Sequence, residues 1–467
     1  MSVDSASTVV GAYTTDRKYF MLFQGTVSQY LDMFYIKASD LFQKKINWRR
    51  LCTRDEEIRN YCTFNDTIFA IKVGADGRSA IVATSLKKPD FKHARIVIRA
   101  EGREIVNIDR TLNFMYFVES DGINKTLCQY SFKSRLTNEI KAPRTGNLDL
   151  KICAAETDQC SFQLTSWTHL HELLKFDAEH GKFVRSPFDR SVDMPQMESV
   201  EVKEIEVRGH DGVMIPLSLI YSIDTKLDGS SYCVLFGYGA YGYGLEPLFY
   251  PQLPFLIKHH IIYAIAHVRG GGEKGESWHT AGLKQTKPNT WKDFISCAEY
   301  LIAQKYTSGN KLVAESASAG GILIGRAITE RPDLFGGAIT VAGDCNALLS
   351  ETTQSGQNNI AEFGSAKVQA ECKALAEMDA LSHVKAGTRY PAVLCTVGMN
   401  DHRVEPWSSG KFVAALQNAS TSGKPVMLRV DYNNGHFTDN RSVDFKQTAD
   451  IYAYIFWALG HPEFKMK

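Results

Sequence analysis

The stretch Lys311-Leu-Val-Ala-Glu-Ser-Ala-Ser318-Ala-Gly320-Gly321-Ile-Leu-Ile-Gly-Arg326 is the part of this chain best suited to chemistry. An apolar run leads into a turn of small residues and then into an amphipathic helical pattern. On such a strand–turn–helix a serine projects its hydroxyl away from its own backbone, the arrangement of a nucleophile elbow. The usual elbow reads GxSxG, whereas Ser316-Ala317-Ser318-Ala319-Gly320 carries a serine in the first glycine's place. By itself the segment also reads as a serine-rich structural connection. Serine is a poor nucleophile until an imidazole takes its proton, and a carboxylate must hold that imidazole in one tautomer. Elbow serines are followed along the chain first by the acid and then by the histidine. Here the apolar run Ala392–Gly398 ends in Met399-Asn-Asp401-His-Arg403-Val404, and Val426–Val430 ends in Asp431-Tyr-Asn-Asn-Gly435-His436. Asp401 alone would serve as a loop or capping carboxylate, and His436 alone as a surface histidine. Three candidates in this order, each just past a strand, point to one site for acyl transfer.

Strands and helices must position these groups, and from about Val200 the pattern supplies them. Val200–Val207 and Ile215–Tyr221 alternate as an antiparallel pair around Asp211-Gly212. Buried-strand runs at Tyr232–Phe236, Ile261–Val268, Lys311–Glu315, Gly337–Val341, Tyr390–Val397 and Val426–Val430 then interleave with helical stretches near 291–304, 321–329, 408–419 and 444–459. Apolar strands alternating with helices predict a doubly wound, mostly parallel α/β sheet.

The first ~195 residues predict an all-β region. Short alternating runs start at Phe20, Thr67, Phe114 and Phe162, 47 or 48 residues apart, and a second run follows each about a dozen residues on. Four hairpin-bearing units at this period predict four β-propeller blades, with an unrepeated β-sandwich as the alternative. The polar, proline-containing connector 190–197 places a boundary near Pro195, giving a propeller portion at 1–197 and a catalytic domain at 198–467.

Composition narrows the function classes. With 44% hydrophobic and 22% charged residues the chain is globular, not disordered. A net charge of +1, from 53 basic and 52 acidic side chains, gives no electrostatic footprint for nucleic acid or an anionic membrane. No apolar run is long enough for a transmembrane helix, and residues 1–20 carry no secretory signal pattern. The ten cysteines form no CxxC pairs, which predicts free thiols, a cytoplasmic location and no zinc site. Metal and cofactor motifs are absent, so no cofactor is expected.

Residues 198–467 resemble the catalytic domain of the prolyl oligopeptidase family of serine peptidases. The likeness is carried by Phe236-Gly-Tyr-Gly-Ala-Tyr-Gly242, His267-Val-Arg-Gly-Gly-Gly-Glu-Lys-Gly-Glu-Ser-Trp-His279, Ser318-Ala-Gly-Gly321, Arg331-Pro-Asp-Leu-Phe335, Asp401-His-Arg-Val404 and Gly435-His436. The resemblance implies an α/β-hydrolase capped by a seven-bladed propeller that admits only short peptides. It implies Ser318 as nucleophile, Asp401 as orienting acid and His436 as base. The Ala319 amide and the Tyr238 phenol would be the oxyanion donors, and Arg403 would hold the substrate backbone. Tyr238 also reads as a core aromatic, Arg403 as a surface ion pair, and Arg269–Glu273 as a glycine-rich turn tied down by charged ends.

Two departures accompany the resemblance. Asn359 stands where prolyl-cleaving relatives carry a tryptophan, and Asn359 and Ala361 replace the acidic residues of basic-cleaving ones. Tyr241, Phe363 and Val404 match apolar pocket-wall positions and favour proline or another hydrophobic side chain. Asp344 falls where an apolar wall residue is usual; it either borders the pocket and favours basic residues or is a structural loop aspartate. The second departure is length. Four blades against seven, with no N-terminal segment packed on the hydrolase, lead us to expect a fragment of a longer enzyme. The expected function is a serine oligopeptidase cleaving short peptides, after proline or a related residue. An esterase or acylaminoacyl-peptidase on the same fold, or a catalytically silent binding homologue, is the alternative.

Overall fold

Runs such as Ile68-Phe-Ala-Ile71 are apolar at every position, which a strand tolerates only when both its faces are covered. The computed structural model, which describes residues 8–14, 16–25, 30–177, 180–192, 194–436, 438 and 440–465, shows how. Two compact units divide the chain after Met194, and the first also takes in Glu246–Phe249 and Gly272–Ser277.

The first unit holds four four-stranded antiparallel sheets among the described residues, each a meander in chain order. They are β1 (Thr8–Tyr13) to β4 (Arg49–Cys52) with β2 (Tyr19–Gly25) and β3 (Asp32–Lys37) between; β5 (Ile58–Phe64), β6 (Thr67–Val73), β7 (Ser79–Ser85) and β8 (Arg95–Arg99); β9 (Glu104–Arg110), β10 (Phe114–Ser120), β11 (Lys125–Ser131) and β12 (Thr137–Ile140); and β13 (Asn147–Cys153), β14 (Cys160–Thr165), β15 (Glu172–Asp177) and β16 (Lys182–Arg185). The repeated apolar runs are the second and third strands of each sheet. Successive sheets pack face to face: Ile68, Ala70 and Val82 meet Met21, Met33 and Tyr35 of the first sheet. Phe69, Ile71 and Ile81 meet Ile105, Met115 and Phe117 of the third. Tyr116, Val118 and Leu127 meet Leu148, Phe162 and Leu164 of the fourth. The 47-residue period reappears as hydrogen bonds between sheets: Tyr19 donates to Asp66, Asn60 to Asn107, and Thr111 to Asp158, at 3.0, 3.0 and 3.1 Å. Arg110, buried, donates to Thr63 O and Ala155 O and ion-pairs with Asp16, so one guanidinium joins all four sheets. The innermost strands line a cavity of about 640 Å³ with Asn60, Asn107 and Asp109. The outermost strands carry Arg49, Arg50, Arg95, Arg99, Lys182 and Arg185, charges that discourage edge-to-edge pairing.

One expectation is corrected here. Cys153 and Cys160 are direct cross-strand partners of β13 and β14 and form a disulfide, leaving eight free thiols. The hairpin register brings the two sulfurs together, which a seven-residue spacing with no CxxC pattern did not announce.

The second unit is built on an eight-stranded sheet in the order β17-β18-β20-β19-β21-β22-β23-β24. Its strands are β17 (Val200–Arg208), β18 (Met214–Ser222), β19 (Cys233–Gly237), β20 (Ile262–Ala266), β21 (Leu312–Ala317), β22 (Gly337–Val341), β23 (Ala392–Gly398) and β24 (Val426–Asp431). The first two are antiparallel and the rest run parallel, the doubly wound sheet that the sequence predicts. Its helices are α1 (Leu253–Lys258), α2 (Glu276–Thr280), α3 (Pro288–Ala303), α4 (Gly320–Glu330), α5 (Ile360–Phe363), α6 (Gln369–Met378), α7 (Pro406–Ala419) and α8 (Arg441–Ala458), with the first two residues of α2 grouped with the first unit. Trp291 and Phe294 of α3, Leu323 of α4 and Phe412 of α7 join Leu235, Ala264 and Cys395 in one core cluster. Buried Leu253 and Leu256 of α1 and Ile455 and Phe456 of α8 cover the other side. None of the described helices is long and apolar enough to cross a membrane.

Candidate active site

The strand β21 lies between β19 and β22, and its chain turns sharply at its carboxyl end. Ser318 sits there at φ 55°, in the left-handed region that a side chain rarely occupies without compensation. The compensation is hydrogen bonding and space. Ser318 N donates to Val341 O at 2.8 Å, and Ser318 O accepts from Gly321 N and Asp344 N, both at 2.9 Å. A Cβ on Gly320 would lie 1.8 Å from Ser316 Oγ, and one on Gly321 2.4 Å from Asp344 N. Only glycine fits either position. The serine in the first glycine's place is fully buried, and its hydroxyl donates to Gly237 O at 2.5 Å. The departure from GxSxG therefore ties the strand before the turn to β19.

The other two groups come from adjacent strand ends. The loops after β23 and β24 meet backbone to backbone: a Cβ on Gly398 would lie 2.2 Å from Gly435 O, and Asn400 N donates to Asn434 O at 3.0 Å. That approach brings Asp401 Oδ2 to 2.7 Å from His436 Nδ1, and His436 Nε2 to 3.0 Å from Ser318 Oγ. Asp401 is buried, and its other oxygen accepts from the amides of Arg403 and Val404 at 2.8 and 2.9 Å. Burial works to raise the Asp401 carboxyl, but the His436 hydrogen bond and those amides outweigh it and hold it below its ordinary value. An ionised Asp401 accepts from Nδ1–H and leaves Nε2 as the basic nitrogen.

Tyr238 follows β19, with its ring against the start of α4. Burial raises its phenol to about 12; the nearby Arg403 charge and a hydrogen bond with Ser318 act in the lowering direction. The phenol thus stays protonated and able to donate. The Ala319 amide, at the mouth of α4, has no acceptor among the described residues. Arg403 is exposed and Val404 half-buried on the loop that carries Asp401.

The expected pocket residues divide. Tyr241, at φ 58°, donates its phenol to Asn359 Oδ1 at 2.9 Å and packs edge-on against buried Phe363 at 5.5 Å. These three form one group. Asp344 does not join them. It is buried, and its carboxylate accepts from the Asn346 amide and the Ser408 hydroxyl, each at 3.2 Å, and from the Ser350 hydroxyl. Burial raises its carboxyl. With its oxygens engaged it has the hydrogen bonding of a structural loop aspartate, the second of the two readings given for it.

Two residues near the site, Glu362 and Lys287, escaped the sequence reading. Glu362 is buried and accepts from Tyr241 N and His279 Nε2, both at 2.8 Å. Lys287, 1% exposed, donates to Gly239 O at 2.5 Å, lies 3.5 Å from Glu362, and sits over the Phe363 ring. Arg269 is bidentate to buried Asp293, at 2.8 and 2.6 Å, which anchors the glycine-rich turn at its head.

An elbow serine after β21, with a carboxylate and a histidine after the neighbouring strands β23 and β24, is the arrangement of the α/β-hydrolase fold, here preceded by propeller blades. Residues 248–462, a little under half of the chain, match the model described as "Prolyl oligopeptidase family". The chain is 26% identical over 454 residues to the prolyl endopeptidase of Elizabethkingia meningoseptica, covering 97% of this chain and 64% of that protein. A solved prolyl endopeptidase superposes with a TM-score of 0.89 at 24% identity, covering 98% of this chain and 67% of the other. Oligopeptidase B from Trypanosoma brucei superposes with a TM-score of 0.87 at 23% identity, over 98% and 66%. The chain thus spans less than two thirds of the length of the first of these, a curated relative.

Proposed function

We propose that this chain carries the catalytic apparatus of a serine-type oligopeptidase, with residues 198–467 as the catalytic domain and 1–197 as a propeller portion. The observation that carries the reading is the hydrogen-bonded series Ser318–His436–Asp401, at 3.0 and 2.7 Å, on a strained strand-to-helix turn. In the first step Ser318 Oγ attacks the scissile carbonyl carbon while His436 Nε2 takes its proton. Negative charge moves onto the carbonyl oxygen, where the Tyr238 O–H and the Ala319 N–H donate. The tetrahedral species collapses as His436 returns the proton to the leaving amine, and an acyl-Ser318 remains. Water, deprotonated by His436, then releases the acid and regenerates the serine. Asp401 stabilises the imidazolium in both halves.

For the substrate we propose short peptides cleaved after proline or a related apolar residue. Tyr241, Phe363, Val404 and Asn359 would receive that side chain, and Arg403 the peptide backbone. The matched proteins' names, prolyl endopeptidase among them, support this choice. We place the activity in the cytoplasm, with no cofactor. A fluorophosphonate probe tests the chemistry: the wild type is expected to label and Ser318→Ala not to. A folded wild type that fails to label ends the active-enzyme reading. A panel of blocked proline-P1 and arginine-P1 peptides, blocked amino acids and simple esters then separates oligopeptidase from acylaminoacyl-peptidase and esterase.

A further inference from the structure

An oxyanion donor works only if it is already aimed where charge will develop. Tyr238 is poorly suited to this by its own backbone, because glycines flank it and such a segment has many accessible conformations. Three buried side chains hold that segment on both sides of the tyrosine. Ser316 Oγ donates to Gly237 O at 2.5 Å. Lys287 Nζ donates to Gly239 O at 2.5 Å. Glu362 Oε1 accepts from Tyr241 N at 2.8 Å, and its second oxygen is held by His279. Lys287 and Glu362 lie 3.5 Å apart, so two of the three ties share one charge pair.

Burying an ammonium for stability alone is inefficient, since an apolar side chain of similar volume packed on Phe363 would serve as well or better. Burial lowers the Lys287 pKa, with Glu362 opposing that fall. The arrangement is understandable if the lysine's task is to fix one carbonyl. Ser316 shows the same logic: glycine is usual at its position, and the extra hydroxyl is spent on the other carbonyl beside Tyr238.

We propose that Ser316, Lys287 and Glu362 are positioning residues, a buried clamp on the Gly237–Tyr241 segment that aims the Tyr238 phenol at the developing oxyanion. The clamp rests on the catalytic reading above and adds to it the residues that make Tyr238 effective. It acts through Tyr238 and touches no substrate.

A double-mutant cycle tests it. Ser316→Ala, Lys287→Met and Glu362→Gln are made alone and with Tyr238→Phe. Each is read by turnover of a blocked proline-P1 peptide anilide, by the rate of fluorophosphonate labelling, and by a thermal melt. Alone, Lys287→Met is expected to lower kcat roughly ten- to hundredfold with KM within about twofold. Ser316→Ala, which removes one hydroxyl and leaves the fold intact, is expected to lower kcat roughly three- to tenfold. In the Tyr238→Phe background each is expected to cause almost no further loss, because the group it aims is gone. A merely structural role would multiply the losses instead. Losses that multiply, or single variants that turn over like the wild type, overturn the clamp. If Tyr238→Phe itself turns over like the wild type, the catalytic reading of Tyr238 falls and the clamp falls with it. Should Lys287→Met fail to fold, Ser316→Ala carries the test.

Discussion

Tyr238 and Glu315 show how burial sets what single side chains can do. The Tyr238 phenol, raised to about 12, is a neutral donor throughout the physiological range. Tyr238→Phe is expected to lower kcat by roughly 10²–10³, or about 3–4 kcal/mol of transition-state stabilisation, with Ser318 still labelled by a fluorophosphonate, though more slowly. Glu315, three residues before the elbow serine, is buried with the Tyr452 hydroxyl as its hydrogen-bond partner. Burial raises its carboxyl from an ordinary 4.5 to about 7, against the lowering effect of Tyr452. A group whose folded pKa is raised stabilises the fold below its unfolded pKa and loses that contribution as pH rises through the folded one. Between about pH 4.5 and 7 the wild type therefore gives up stability on the order of 3 kcal/mol, while a neutral glutamine gives up none. Thermal melts of Glu315→Gln and wild type at pH 5 and pH 8 check this: the variant should gain relative to the wild type at the higher pH. An equal difference at both would sink the assignment.

Among the elements, two of the helical glycines, Gly320 and Gly410, make opposite predictions. Gly320 opens α4, where an added Cβ meets Ser316 Oγ at 1.8 Å; Gly410 lies within α7, where the nearest atom is 3.9 Å away. Gly320→Ala is expected to lower stability by about 1–3 kcal/mol through overpacking, and Gly410→Ala to raise it by about 0.5–1 kcal/mol through helix propensity. Melting temperatures that shift in the same direction would contradict this geometry. The elements also show what a sequence discloses. The second and third strands of each propeller sheet were legible because they are buried on both faces, as Phe69 and Ala70 are by different neighbours. The first strands were not, because Asn60, Asn107 and Asp109 face a cavity and dilute the apolar pattern. The fourth were short and, except for β12, basic. Helix α1 spans too few residues to show a period, whereas α6 does bury Ala374, Leu375 and Met378, a signal that went unread. Ser318, Asp401 and His436 were legible because each follows a recognisable strand. Lys287 and Glu362 were not: their partners lie 48 and 121 residues away, and nothing local marks them.

At the scale of the whole chain, the cysteines give a count that one experiment can read. Seven of the eight free thiols are buried and Cys372 alone is half-buried, while Cys153 and Cys160 are joined. A thiol reagent is expected to modify one cysteine rapidly in the native protein, eight after unfolding, and ten after unfolding with reduction. Several fast native thiols would contradict the packing described for both units.

The sheet-to-sheet hydrogen bonds 47 residues apart have a consequence in time. At about 5–20 residues per second of synthesis, Tyr19 waits roughly 2–10 s for Asp66 to be made, and each later sheet waits as long for its neighbour. Charged outer strands guard these half-covered sheets while they wait. Ser318 waits longer, since His436 is 118 residues further on, roughly 6–24 s at the same pace. Until then its hydroxyl has no base. A nascent chain with its nucleophile already in place would therefore be chemically quiet toward the polypeptides around the ribosome until His436 has been made and folded against it.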